Sequence, residues 1–341
     1  MSQKVGVLIL GLNSLGYLKE CFDSLIAQEY KNISIYFGDN GSKDGSISFI
    51  KVNYPKVKIR DLKINNGYAK GNNLLLETAF RDGVELCFII NPDTVLKKNT
   101  VSNLINSYNF HKNRGLRVGL IQPVILLDQD KSKINTVGNA IHLMGFGFCK
   151  DYMKKYIPIK NDREILSVSG TGMLISKELY ENIGAFDEDF FMYNEDQDLS
   201  IRSFLSGYKN FLSSKSIMYH KYSFSKNKNK WFYSERNRLL IILKNYPGKL
   251  LFFLSVPFFI TEILVLIYSL FTGWFFQKIL SYADVVKKLI TGYKKRKPFT
   301  VDKNYIKRLE YSLNFKPIYK IPIIFGTGNQ ILTCKSSLAL H

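Results

Sequence analysis

The chain has 341 residues, 46% hydrophobic and 22% charged, enough to bury a sizeable core and too apolar for a disordered segment. Its formal charge of +20 is uneven: residues 1–200 carry 24 Lys/Arg against 23 Asp/Glu, whereas residues 201–341 carry 24 against 5. That split predicts a folded catalytic or binding unit followed by a segment facing an anionic surface, and four scattered cysteines without a C-x-x-C pair exclude a zinc ribbon or disulfide frame and read as reduced thiols.

Val5–Leu10 (VGVLIL) is a buried-strand candidate. Leu18, Cys21, Phe22, Leu25 and Ile26 recur at helical spacing, predicting an amphipathic helix over Leu15–Gln28 with Ser14 as its N-cap. A second strand, Ile33–Phe37, runs into GDNGSKDGS, whose three glycines, two aspartates and asparagine make a tight loop. A strand near Val57–Leu62, the turn Asn65-Asn66-Gly67 and a helix from about Ala69 to Arg81 follow. Leu86–Ile90 (LCFII) reads as a strand buried on both faces. Pro92 cannot donate to a sheet ladder, so the strand ends there and presents Asp93 at the carboxyl edge, where open α/β sheets hold ligands. The competing reading makes Asp93 a turn carboxylate capping the next helix.

A helix over Thr100–His111 and a strand over Val118–Gln122 complete an alternation that predicts an α/β fold with a doubly wound, mostly parallel sheet. Neither G-x-G-x-x-G nor G-x-x-x-x-G-K-[ST] occurs at the first turn, which speaks against dinucleotide and P-loop domains. Leu126–Leu166 is irregular and reads as an insertion over the sheet edge. Strand character returns at Val168–Ile175, then a helix at Ser176–Ile183, then the acidic and aromatic run FDEDFFMYNEDQDLSIR over Phe186–Arg202. Lys209–His220 is a last strand.

Glu195, Asp196 and Asp198 begin a predicted helix, where each carboxylate favours the dipole by up to about 1 kcal/mol. Three carboxylates in four residues also repel. Taken with Asp93 at a strand end and the late His220, they fit a divalent-metal and general-base site better than a cap. His111, His142 and His341 read as surface residues, and Tyr193 with its phenylalanine neighbours as core or cleft wall.

The segments VGVLILGLNSLGYLKECFDSLIAQ, GDNGSKDGS, NNGYAKGNN, NPDT, GTGMLISKELYENIGAFDEDFFMYNEDQDLSIR, YHKYS and ERNRL resemble, in order and over roughly residues 4–240, the family 2 glycosyltransferases of the GT-A fold, in their rhamnosyltransferase-like branch. The resemblance implies inverting transfer of a sugar from a nucleotide diphosphate donor, dTDP-rhamnose or a UDP-sugar, to a hydroxyl of a lipid-linked or cell-surface glycan. By position it implies that Leu12, Asn13 and Asp39 hold the base and ribose, with Asn65, Gly67 and Asn73 on the same nucleotide side. Asn91 and Asp93 occupy the D-x-D positions, Asp93 and His220 meeting Mg²⁺ or Mn²⁺, and Asp196 of the Glu195-Asp196 pair is the position of the general base. Asn91 departs from the family's aspartate and weakens the expected hold on a hard cation. Arg236 is a candidate diphosphate contact, its planar guanidinium suiting phosphate, with a solvated helix face as the equal alternative.

Leu250–Phe276 is an apolar run of 27 residues, more than the ~20 of one membrane span and too short for two. Glu262 within it would cost roughly 2.5–3.5 kcal/mol at mid-bilayer, and a single crossing would place the basic tail opposite to the positive-inside tendency. The expectation is a membrane-associating region over 241–341 behind a glycosyltransferase domain over 1–240, lying at the cytoplasmic face of the cell membrane as a peripheral or re-entrant element, with a single pass as the close alternative. A nucleotidyltransferase and a non-enzymatic basic nucleic-acid- or membrane-binding protein are the rival functions. The apolar run favours an anionic membrane surface over nucleic acid as the basic region's partner.

Overall fold

The computed structural model describes residues 3–222 and 229–292. The chain alternates β1 (Val5–Gly11), α1 (Leu15–Ile26), β2 (Ile33–Asp39), α2 (Ser46–Asn53), β3 (Lys58–Asp61), α3 (Gly67–Arg81) and β4 (Leu86–Ile90). There follow β5 (Thr94–Leu96), α4 (Thr100–Asn113) and β6 (Val118–Leu127). Next come the short strands β7 (Ile134–Thr136), β8 (Asn139–Ile141), β9 (Gly147–Cys149) and β10 (Arg163–Ile165). The unit closes with β11 (Gly172–Ser176), α5 (Lys177–Ile183), a 3₁₀ turn (Glu188–Phe190), α6 (Glu195–Leu205) and β12 (Lys209–His220). Three further helices are α7 (Asn229–Asn245), α8 (Gly248–Thr272) and α9 (Phe275–Thr291).

Ten strands form one sheet in the order β10-β12-β6-β11-β4-β1-β2-β3, with β5 on β12 and β7 on β6, and β8 and β9 pair as a separate antiparallel hairpin. The pairs of β1 with β2 and β4, of β2 with β3 and of β6 with β12 are parallel, and β11 runs antiparallel between β4 and β6. Helices cover both faces, so β4 is apolar on every residue and its side chains alternate between two cores. Cys87 and Ile89 of β4 face the layer with α3 and α5, while Leu86, Phe88 and Ile90 face that of α1 and α4.

Local chemistry explains where predicted and observed ends differ. Ser14 makes no side-chain cap; the first N–H of α1 is satisfied across space by Asp44 Oδ2 at 2.8 Å. Asp93 does not cap a helix, because β5 begins at the next residue and α4 only at Thr100. The four strands inside 126–166 are three residues each, too short for an alternation to be read. Cys21 and Cys87 are buried free thiols as expected, but Cys149 is disulfide-bonded, against the expectation of four reduced cysteines.

The expected division at residue 240 falls inside α7, a continuous helix packed on both α6 and α9. The apolar run is broken at Gly273, whose φ of +78° ends α8, and α9 follows at once. Among the described residues α8 alone is long and apolar enough to cross a membrane by length and composition. The basic run 294–297 lies outside the described residues.

Candidate active site

At the carboxyl ends of β1 and β2, two loops are tied together by polar side chains. Asn13, held at φ 48°, takes Ser42 Oγ on its N–H at 2.9 Å and accepts the Lys43 N–H on Oδ1 at 2.9 Å. Asp39 Oδ2 accepts the N–H groups of Gly41 and Ser42, at 3.2 and 2.8 Å. Its other oxygen, Oδ1, is buried with no hydrogen-bond partner among the described residues, an acceptor suited to a ligand N–H or hydroxyl. Leu12 is buried against the α3 layer.

Asn40, which sequence reasoning passed over, joins this loop to the next. Its Oδ1 accepts the Asn66 N–H at 2.9 Å and its Nδ2 reaches Asn65 Oδ1 at 3.1 Å, while Asn65 Oδ1 also accepts the Gly67 N–H at 2.9 Å. Gly67 has φ +74°, and a Cβ there would strike the ring and carbonyl of Phe191, so only glycine lets the 190–194 loop rest on α3.

The acidic side is built from strand ends. Beyond β4, the Asn91 N–H donates to Thr171 O at 3.2 Å. Antiparallel pairing of β12 with β5 sets His220 opposite Thr94, and the Lys221 N–H donates to Asp93 O at 2.9 Å. His220 Nε2 thereby lies 3.3 Å from Asp93 Oδ2, and its Nδ1 lies 3.1 Å from Asn135 Oδ1. When Nδ1 donates to Asn135, Nε2 presents its lone pair beside the Asp93 carboxylate, two adjacent donors for a cation. No three His, Cys, Asp or Glu side chains converge on a metal-sized space among the described residues. Two protein donors with the remaining positions left to ligand oxygens is how Mg²⁺ and Mn²⁺ sit on nucleotide diphosphates, so the donor set fits such an ion.

Asp196 is the second residue of α6, a helix buried along its whole length. Its Oδ2 accepts the Gly170 N–H at 2.8 Å and its Oδ1 the Gln197 N–H at 2.8 Å. Burial pushes its pKa up to about 6, with the amides of Gly170 and Gln197 pulling the other way. Tyr68, a second residue that sequence reasoning did not single out, donates its hydroxyl to Gly170 O at 2.5 Å. Its ionisation is suppressed first by burial and then by the charges of Glu195, Asp196 and Asp93. One phenol therefore lies in the field of all three carboxylates, and the consecutive residues Gly170 and Thr171 bond Asp196 and Asn91. The Asn91 backbone and the Asp196 carboxylate, about a hundred residues apart in sequence, thus meet consecutive residues of one turn.

Other predicted contacts are engaged elsewhere. Asn73 pairs through both ends of its amide with the backbone of Phe186, Nδ2 to O at 2.8 Å and Oδ1 from N at 3.0 Å, stapling α3 to the 185–188 segment. Arg236 is buried, and its guanidinium donates to the carbonyls of Asp189 and Phe190 at 2.8 Å each and meets Asp284 at 3.4 Å. It is neither a solvated residue nor, in this structure, bonded to the acidic site; it clamps the segment ahead of α6. Asp198 pairs with the buried Arg202 at 2.8 Å and accepts Asn245 Nδ2 at 2.9 Å, a structural role. His111 stacks on Phe211 at 3.7 Å, beside Asp162, and His142 is buried too, so neither is the surface residue expected.

A mostly parallel sheet with helices on both faces and an antiparallel strand inserted beside β4 define the GT-A fold. The chain belongs to glycosyl transferase family 2, whose family model matches residues 7–184. Among curated proteins it is similar to the N-acetylglucosaminyl-diphospho-decaprenol L-rhamnosyltransferase of Mycobacterium tuberculosis, 24% identical over 227 residues covering 60% of this chain and 72% of that one. It is also similar to a low-salt glycan biosynthesis hexosyltransferase of Haloferax volcanii, 25% identical over 41% of this chain and 43% of that one. Among solved structures, the mannosyltransferase of Pyrobaculum calidifontis in complex with GDP-Man and Mn²⁺ aligns with a TM-score of 0.51 at 14% identity, covering 86% of this chain and 89% of that one. The structure of GalNAc-T7 with UDP, GalNAc and Mn²⁺ aligns at 0.53 and 15%, covering 65% and 44%.

Proposed function

We propose that this chain transfers a sugar, with inversion, from a nucleotide diphosphate sugar to a hydroxyl of a lipid-linked glycan. The observation that carries the reading is the convergence of Asp93 and His220 with Asp196 about Tyr68 and the Gly170–Thr171 turn. Asp196 takes the proton from the acceptor hydroxyl as that oxygen attacks the anomeric carbon, and Glu195 beside it shapes the field in which the proton moves. Asp93 and His220 would hold Mg²⁺ or Mn²⁺, with Asn91 at the neighbouring position. When bound, such an ion neutralises the charge growing on the departing diphosphate. Asp39 accepts from the base or a ribose hydroxyl, and Asn13, Asn65 and Gly67 shape the loops around it.

The diphospho-decaprenol acceptor in the name of one relative and the basic, apolar carboxyl-terminal region together support a lipid-linked acceptor. We place the work at the cytoplasmic face of the cell membrane, where basic residues meet an anionic leaflet. A screen of nucleotide sugars with Mg²⁺ or Mn²⁺ tests the function. Release of the nucleoside diphosphate and a product of inverted anomeric configuration is the expected result. Release of pyrophosphate would mark the nucleotidyltransferase alternative, and activity unaffected by a chelator would contradict the metal.

A further inference from the structure

We infer that α8 and α9 together form a monotopic docking surface that lies flat in one leaflet of an anionic bilayer and does not cross it. This deepens the membrane placement proposed above and is independent of the sugar chemistry. α8 is about 37 Å long, more than enough to span, so the question is which of its faces is free. Leu250, Leu254, Thr261, Val265 and Ser269 are buried at intervals of four and seven residues, so one stripe of the helix rests on protein from end to end.

The midpoint is fixed by charge. Glu262 accepts from Arg238 of α7 at 2.5 Å and from Lys278 and Tyr282 of α9 at 2.8 Å each. Arg238 and Lys278 also meet Glu235, at 2.9 and 2.6 Å, so two acids and two bases close a neutral cluster. Arg238 further donates to Met144 O at 3.0 Å, beside the β8–β9 hairpin. A crossing α8 would carry this cluster, α7 and that hairpin of the transferase unit to the middle of the hydrocarbon. A helix lying flat needs none of this.

The outer face has the opposite character. Of the twenty-four large apolar side chains exposed among the described residues, sixteen are on α8 and α9, from Phe252 (76% exposed) through Ile263 to Phe271 (86%) and on to Ile290 (79%). So much uncovered apolar surface in one place marks an interaction site. Lys249 and Lys287 are exposed at its margins, and the sequence continues into Lys294, Lys295, Arg296 and Lys297. Apolar surface edged by cations matches the headgroup–acyl boundary of an anionic leaflet.

The test uses the full chain and vesicles of phosphatidylcholine containing one-third phosphatidylglycerol. The two native tryptophans, Trp231 and Trp274, are first replaced by phenylalanine, and a single tryptophan is then introduced by F252W, I263W or F271W and quenched by lipids brominated at graded depths. All three should be quenched most strongly at one shallow level, about 5–10 Å into the boundary. Omitting phosphatidylglycerol should weaken binding at least tenfold, and the double variant F252S/F271S should do the same without a change in melting temperature. Deep quenching of I263W with shallow ends would show a crossing helix and overturn the inference. So would failure to bind vesicles together with concentration-dependent dimers, which would assign the face to a second copy. Nucleotide-sugar hydrolysis in detergent-free solution reports separately on the transferase reading: lost hydrolysis with intact vesicle binding would sink that reading and leave this one standing.

Discussion

Asp196 is a carboxyl group that burial makes reluctant to ionise, and the proposed mechanism has it accept the proton of the acceptor hydroxyl. With its pKa near 6, the acid limb of kcat/KM should fall tenfold per pH unit below about 6, and a pH–rate profile checks this. A limb centred near pH 4 would contradict the assignment. Stability follows the reverse sign. The native state holds the proton between the ordinary value of 3.8 and about 6 while the unfolded chain has released it, so the contribution of Asp196 to stability falls as pH rises through that window. Asn135 acts through His220: its Oδ1 lies 3.1 Å from Nδ1 and orients the ring toward Asp93. Asn135→Ala should weaken Mn²⁺ binding by about 10–100-fold, with activity partly rescued at high Mn²⁺, as titration calorimetry and assays would show. Unchanged Mn²⁺ affinity would make Asn135 a bystander.

At the scale of elements, the segment that leads into α6 is clamped from outside the sheet. Asn237 Nδ2 lies within hydrogen-bond distance of the carbonyls of Phe190, Met192 and Tyr193, at 2.8, 2.8 and 2.6 Å, and Lys244 and Lys288 pair with Asp189 at 2.8 and 3.0 Å. Phe191, Tyr193 and Asn194 all have positive φ, backbone conformations that persist only when surroundings impose them. Asn237→Ala removes the amide that donates to the carbonyls of Met192 and Tyr193, at about 1–3 kcal/mol each, while Phe190 O keeps Arg236. Denaturant titration should show that loss, with turnover reduced more than donor affinity. Much of this scale was legible. LCFII followed by Pro92 marked a strand end bearing a carboxylate, and EDQDLSIRSFL marked a helix. The clamp was not legible, because an asparagine or arginine suits a backbone carbonyl as well as a phosphate; Asn73 and Arg236 matched expected site positions by residue type and hold loops instead. Tyr68 and Asn40 were missed for the converse reason, since each sits inside a quoted motif where neighbouring residues drew the chemistry. Asn135 lies among three-residue strands that carry no period.

For the whole molecule, α7 and α9 join the transferase unit to its apolar appendage. The sequence showed a membrane-seeking run with a costly glutamate in it; only the fold shows Glu262 paired with Arg238 and Lys278. Glu262→Ala removes one acid from a neutral buried cluster and should destabilise the chain by about 3–5 kcal/mol. Chemical denaturation measures this, and a change under 1 kcal/mol would mean that water reaches the cluster. Because Lys288 and Asp284 of α9 also touch Asp189 and Arg236, the appendage and the segment preceding the site share contacts and should soften together.

The proposed function depends on one site serving both donor and acceptor, with separate tasks for Asp93 and Asp196. Calorimetric titration of a nucleoside diphosphate with Mn²⁺, run beside turnover for Asp93→Asn and Asp196→Asn, separates those tasks. The prediction is that Asp93→Asn loses Mn²⁺-dependent nucleotide binding, whereas Asp196→Asn keeps it and loses turnover by about 10²–10⁴-fold. Near-normal turnover in Asp196→Asn, or nucleotide binding equally untouched in Asp93→Asn, would contradict the account.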